Sequence, residues 1–209
     1  MALDLLRIHV MRRWSPVALA VLLSGHPPPA EAIWVELTPD QVKEAVAHGT
    51  AAYAKLVAER LPPDNLDPEY VVDLGPDVGR AYLFTEFSSL SRETRRYLAI
   101  GMKIKDDDVS RVAEDSRGKI VVQVDLVGPK RDFLRFYKVR LVQRDQSHAP
   151  GQADVYRAAP VPGSTERHRG SALYTFTAKD VDPTAPVALV LSDGTDREIR
   201  FEFDLPRLR

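Results

Sequence analysis

Apolar and polar positions follow two different periods along this chain. Over 38–60, Val42, Ala45, Val46, Gly49, Ala52, Tyr53, Leu56 and Val57 recur at three- and four-residue steps, and Lys43, Glu44, Lys55 and Glu59 fall between them. That period predicts one amphipathic helix with a continuous stripe to bury. Thr38-Pro39-Asp40-Gln41 opens it with a hydroxyl to cap free amides, proline at the first position and Gln41 to close a capping box. The prolines of 61–68 stop it, because neither a proline nor its predecessor tolerates helix.

Beyond this stop the aromatic and β-branched runs 70–74 and 80–87 read as strands around a Gly75-Pro76-Asp77 turn. Residues 88–103 read as a helix, with Leu90, Tyr97, Leu98 and Met102 on one side and Arg92, Glu93, Arg95 and Arg96 on the other. Asp106-Asp107-Asp108 ends or restarts that run, and a short helical turn follows over 109–114. From Lys119 the period becomes two, predicting strands at 119–127, 133–144, 171–178, 187–192 and 197–205. In the last, Ile199, Phe201, Phe203 and Leu205 point one way and Glu198, Arg200, Glu202 and Asp204 the other, so one face is buried and one wet. Ser192-Asp193-Gly194-Thr195 joins the last two strands, with Asp-Gly where a hairpin needs positive φ.

Strands at this spacing predict an α+β chain: an antiparallel immunoglobulin-like β-sandwich with one or two packed helices. Its divisions are 1–32, 33–66 (helix and linker) and 67–209 (a β-sandwich-type domain with an inserted helix). The first is a cleavable signal peptide: Arg12 and Arg13, a short apolar core over 16–23, then the small-x-small triplet Ala30-Glu31-Ala32. That core is shorter than the roughly 20 residues a bilayer span needs. Met11 serves as well as Met1 for a start, since 11–32 alone has the full order of charge, apolar core and cleavage site. The chain is therefore expected to be exported, periplasmic or extracellular, with no integral membrane segment after cleavage.

The plan of export signal, early helix, Thr85-Glu86-Phe87 with a following helix, and a sandwich ending Phe201 to Leu205 resembles uncharacterised bacterial exported proteins. The resemblance covers residues 70–205 and implies address and fold only.

Charge and composition narrow the function classes. Of 29 basic and 30 acidic side chains, Arg7, Arg12, Arg13, Asp4 and Glu31 leave with 1–32, so the remainder is nearly neutral. That balance argues against nucleic acid and against adhesion to anionic membranes. There is no cysteine, which excludes thiol nucleophiles, disulfides and Cys-ligated metals and fits a bacterial envelope better than a eukaryotic secretory route.

No motif forces a reaction or a cofactor. Asp106-Asp107-Asp108 lacks the alternating ligands and central glycine of a calcium loop and reads as a solvated helix cap. His48, His148 and His168 are too far apart in sequence for a helical zinc pair, so no metal is expected. Ser164 and Ser171 follow glycines without the Gly-x-Ser-x-Gly elbow, and no glycine-rich phosphate loop is present. Glu86, in a run read as an apolar strand, is the carboxylate that burial would perturb. The segment 146–170 reads as a long, turn-rich insert. Within it, Arg167, His168 and Arg169 are the candidate binding residues: two forks for a carboxylate or phosphate and an imidazole that titrates near neutrality. The expected function is a non-enzymatic exported binding or structural module whose partner is another envelope protein or polymer. The alternative is a carboxylate-dependent envelope hydrolase or transferase.

Overall fold

The computed structural model describes residues 36–62, 68–194 and 197–208. The signal-peptide segment 1–32, most of the expected linker and Thr195 lie outside the described residues. Among the described residues the chain is α+β, with three α-helices and two antiparallel sheets, one helix more than the pattern suggested.

Helix α1 runs Pro39–Glu59 and starts as its sequence dictates. Thr38 Oγ1 accepts the Gln41 N–H at 3.4 Å, and Gln41 Oε1 accepts the Thr38 N–H at 2.8 Å. Ala45, Gly49 and Leu56 are its buried residues, whereas Val57, expected in the stripe, is 58% exposed.

Strands β1 (Val71–Asp73) and β2 (Gly79–Phe84) follow, and then α2 (Glu86–Ala99) and α3 (Asp106–Ser116). The helix begins two residues earlier than its pattern implied. Thr85 Oγ1 accepts the Ser88 N–H at 3.2 Å and Ser88 Oγ accepts the Thr85 N–H at 2.8 Å, a reciprocal cap that ends the strand. Glu86 and Phe87 are therefore helical, not strand. Arg95, assigned to the polar side of α2, is buried. The three aspartates form the first turn of α3, where carboxylates favour the positive end of the helix dipole.

The remaining strands are β3 (Lys119–Gly128), β4 (Lys138–Gln143), β5 (Gln146–His148), β6 (Gln152–Val155), β7 (Ala159–Pro160), β8 (His168–Thr177), β9 (Val187–Ser192) and β10 (Glu198–Phe203). One sheet has the order β1-β2-β3-β8-β6 with β7 also on β8, and the other β10-β9-β4-β5. The insert 146–170 is thus not structureless, because β5, β6 and β7 lie within it. Phe133–Phe136, expected in a strand, is a single 3-10 turn.

Alternation explains the core. Ile120, Val122, Val124 and Leu126 of β3 and Ala172, Tyr174 and Phe176 of β8 share one buried cluster with Leu189, Leu191, Phe201 and Phe203 of the second sheet. Strand β9 departs from alternation, since Val187 through Leu191 are all buried. Val190 stands in register between Arg200 of β10 and Arg140 of β4, and Arg140 reaches Glu198 at 3.1 Å across the middle strand. Long charged side chains thus cover the outer apolar side of β9. Gln143, also buried, donates to the carbonyls of Asp182 and Ala185 at 2.8 and 2.9 Å and accepts the Asp182 N–H at 2.7 Å, holding the turn before β9.

The turn Phe133–Phe136 seats Phe133 and Leu134 over the ends of β3 and β8, where the core-facing positions are Gly128 and Gly170. A Cβ at Gly128 would clash with the Phe133 ring, and one at Gly170 would meet Leu134 Cδ1 at 2.8 Å. Gly128→Ala is expected to destabilise the fold by about 1–3 kcal/mol through overpacking, lowering Tm by about 2–10 °C for a chain of this size. Thermal melts followed by circular dichroism check this, and Phe133→Leu in the same chain should recover part of the loss.

Candidate functional site

Glu86 belongs to a small helical core. Ala45, Phe87 and Leu90 pack together with Val42, Val46 and Val112 around them. Gly49 of α1 abuts the backbone of Ser91, and His48 Nδ1 lies 3.0 Å from Ser91 Oγ. At the start of α2, the Glu86 side chain is buried, with Oε2 accepting the Leu37 N–H at 3.4 Å. Its Oε1 is also buried and has no hydrogen-bond partner. Burial pushes its carboxyl above the ordinary value of 4.5, against the Leu37 N–H and the Arg117 charge, which pull it down. Glu86 therefore links α2 to the entry of α1, and it lines neither of the two clefts described next.

The first cleft, about 270 Å³, lies on the outer face of the first sheet between Asp73, Arg80, Asp125 and Arg169. Register places Asp73 opposite Arg80, Arg80 opposite Asp125 and Asp125 opposite Ser171. Ser171 Oγ donates to Asp125 Oδ1 at 2.5 Å and Arg80 Nε lies 3.8 Å from Asp125 Oδ2. Burial raises the Tyr82 hydroxyl above 10.0, with Arg80 opposing and Asp125 adding to the rise. The result is a row of two acids and two bases in which Asp125 is held by Arg80 and Ser171.

The three candidate residues at 167–169 part company here. Arg167 pairs with Asp77 at 2.8 Å and donates to the Pro76 carbonyl at 3.4 Å, tying its loop to the β1–β2 turn. Arg169 lines the first cleft. Strand alternation puts His168 on the side of Gly170 and Ala172, facing away from Arg169; its Nδ1 is buried without a hydrogen-bond partner. The trio does not converge on one ligand position.

The second cleft, about 500 Å³, is formed where the β3–β4 connection meets the β6–β7 connection. Arg131, Arg135 and Arg157 line it with Asp132 and Tyr156. Among the described residues none of these three guanidiniums forms a salt bridge. The walls are held together: the Ala158 N–H donates to the Arg131 carbonyl at 3.3 Å, and the Tyr156 N–H to the Ser171 carbonyl at 3.0 Å. Tyr156 is 53% exposed. Three exposed forks around one open cleft can bind anionic oxygens; no nucleophile and base are paired there.

Sequence reasoning flagged the insert that carries Tyr156 and Arg157 and named Arg167, His168 and Arg169 within it, none of which lines the second cleft. Arg135 was passed over because 133–144 reads as a strand, in which it is one more solvent-facing position, and Arg131 because it falls in the connection between two expected strands. The available signal was Gly128-Pro129 before Lys130-Arg131-Asp132, a break that opens a turn ahead of Phe133. No known protein-family model matches the chain, and no curated protein is detectably similar to it.

Glu86 allows a pH prediction. Its pKa rises on folding, so the folded state holds the proton more readily than the unfolded one. The cost of the buried charge is absent below the unfolded value and grows as pH rises through the folded one. Glu86→Gln is expected to be at least as stable as wild type at pH 7 and to lose its relative advantage below about pH 4. Melts of both proteins at the two pH values check it; equal differences at both would contradict the buried-charge account.

Proposed function

We propose that this chain is a non-enzymatic exported binding module of the bacterial envelope, which holds an anionic ligand in the cleft of Arg131, Arg135 and Arg157. The observation that carries this reading is the grouping of three guanidiniums with no salt bridge around a cleft of about 500 Å³. Most other arginines that face solvent on the strands are engaged, as Arg140 is with Glu198 and Arg200 with Glu202. The volume falls within the roughly 300–1,000 Å³ of ordinary ligand sites.

The strand order supports an immunoglobulin-like reading of the sandwich. If β2, β3, β8 and β6 are strands A, B, E and D, and β4, β9 and β10 are C, F and G, with β5 beside C, both sheets have the neighbours that fold requires. The second cleft is then made by the B–C and D–E connections, at the end of the sandwich that also carries the F–G hairpin. Export rests on the order of charge, apolar core and small-x-small triplet within 1–32. Among the described residues no helix is long and apolar enough to cross a membrane.

Docking through a sheet edge has less support than docking through the cleft. The edge strands β1 and β5 have three residues each, and the edge strand β10 presents Glu198, Arg200 and Glu202 to solvent. The carboxylate-dependent hydrolase or transferase also has less support, because Glu86 lines neither cleft.

Titration calorimetry of the purified protein with oligogalacturonate, polyphosphate and poly-glutamate tests the reading. Binding of at least one polyanion is expected at low salt, weakening as salt screens it. Each single change of Arg131, Arg135 or Arg157 to Ala should cost about tenfold, as loss of a charged hydrogen bond predicts. If no polyanion binds, or the triple alanine variant binds as wild type does, the reading fails.

A further inference from the structure

The ligand chemistry of the second cleft can be narrowed. Resting on the binding reading above, we infer that its ligand is an acidic polysaccharide: a chain of sugar rings bearing carboxylates, recognised by the arginine forks, an aromatic platform and one hydroxyl-accepting carboxylate.

Three features separate this class from other polyanions. The first is Tyr156, a residue 53% exposed on the wall that also bears Arg157. To a phosphate chain Tyr156 offers only its hydroxyl, and the flat face of its ring has no apolar partner there. The ring offers a flat apolar face to the C–H face of a pyranose, whose polar edges then remain free for hydrogen bonds. Leu134, next to Arg135, adds apolar surface on the opposite wall.

The second is Asp132. It lines the same cleft, and among the described residues its carboxylate has no salt bridge. To a polyphosphate that carboxylate is only repulsive, because the chain carries no donor it could accept from, and an acidic peptide offers it backbone N–H groups but no row of hydroxyls. A uronate residue presents hydroxyls and a carboxylate on one ring, so Asp132 accepts from the former while an arginine fork holds the latter. A cleft with three guanidiniums and one carboxylate suits a ligand that is both anion and polyol.

The third is the edge beside the cleft. An extended acidic peptide would add as a strand along β6, but β6 is four residues long and its exposed Asp154 would face the incoming chain's charges.

The test compares oligogalacturonate, poly-glutamate and polyphosphate of matched charge on wild type, Tyr156→Ala, Tyr156→Phe and Asp132→Ala. Tyr156 and Asp132 are exposed, so the variants should keep the wild-type melting temperature, checked by circular dichroism. Oligogalacturonate is expected to bind most tightly. Tyr156→Ala should weaken it about fivefold, the scale of one aromatic contact, and Tyr156→Phe should restore it. Asp132→Ala should weaken oligogalacturonate and strengthen polyphosphate, whereas a purely electrostatic role would strengthen both. Arginine-dependent binding in which poly-glutamate or polyphosphate equals oligogalacturonate, or in which Tyr156→Ala has no effect or affects all three alike, overturns the polysaccharide assignment and leaves the anionic-ligand reading standing. Absence of any arginine-dependent binding overturns both.

Discussion

The passage of the chain from one sheet to the other depends on two missing side chains. At the ends of β3 and β8 the core-facing positions are Gly128 and Gly170, and the 3-10 turn that follows β3 fills their space with Phe133 and Leu134. With those two residues buried, the turn is anchored to the first sheet just before β4 enters the second. Residues 131, 132, 135 and 136 stay exposed around them. The same packing therefore closes one end of the core and presents the arginines of the second cleft. Ala158, buried against Gly170, fixes the opposing wall.

Charge on this molecule has two forms. Over the sheets it is consumed locally: Arg140 spans to Glu198 above β9, Arg80 sits by Asp125, and Arg167 ties the 161–167 loop to Asp77. Such exposed pairs add little to stability individually, but their stems shield apolar strand positions. At the second cleft the guanidiniums are exposed and, among the described residues, without carboxylate partners. A net charge of −1 for the whole chain hides this local excess, so composition argued correctly about bulk charge and was silent about its placement.

Legibility followed the strength of local signals. The helix opened by Thr38 and Gln41, the strands at 119–127 and 187–192, and the Asp193-Gly194 turn, where Gly194 has φ 86°, are all where their pattern puts them. Each has a local cause that tertiary packing does not override. Glu86 was misread because a capping box closed by Ser88 lacks the Glu or Gln that normally marks it. Arg95 was misread because α2 is covered by α1 on a face its own pattern calls polar. The segment 146–170 defeated a periodicity reading because β5, β6 and β7 are two to four residues long, shorter than any period can register. Side-chain convergence in the second cleft joins residues more than twenty positions apart, and no local pattern records it.

The position of α1 bears on how the cleft can work. This helix packs on α2, at the close approach of Gly49 to Ser91, and not on the sheets. The helical core and the core between the sheets are two separate clusters. Helices α2 and α3 occupy the connection from β2 to β3, at the Lys119 end of β3, while the second cleft lies beyond the Gly128 end. Changes in the helical core fall at the other end of β3 from the cleft and should add independently to changes made there. The cleft's walls are instead braced by Phe133, Leu134 and Ala158 and by the Ala158–Arg131 backbone bond. A wall held in this way would lose little freedom on taking up the proposed ligand, so the arginine contacts would go to affinity and not to ordering the loop.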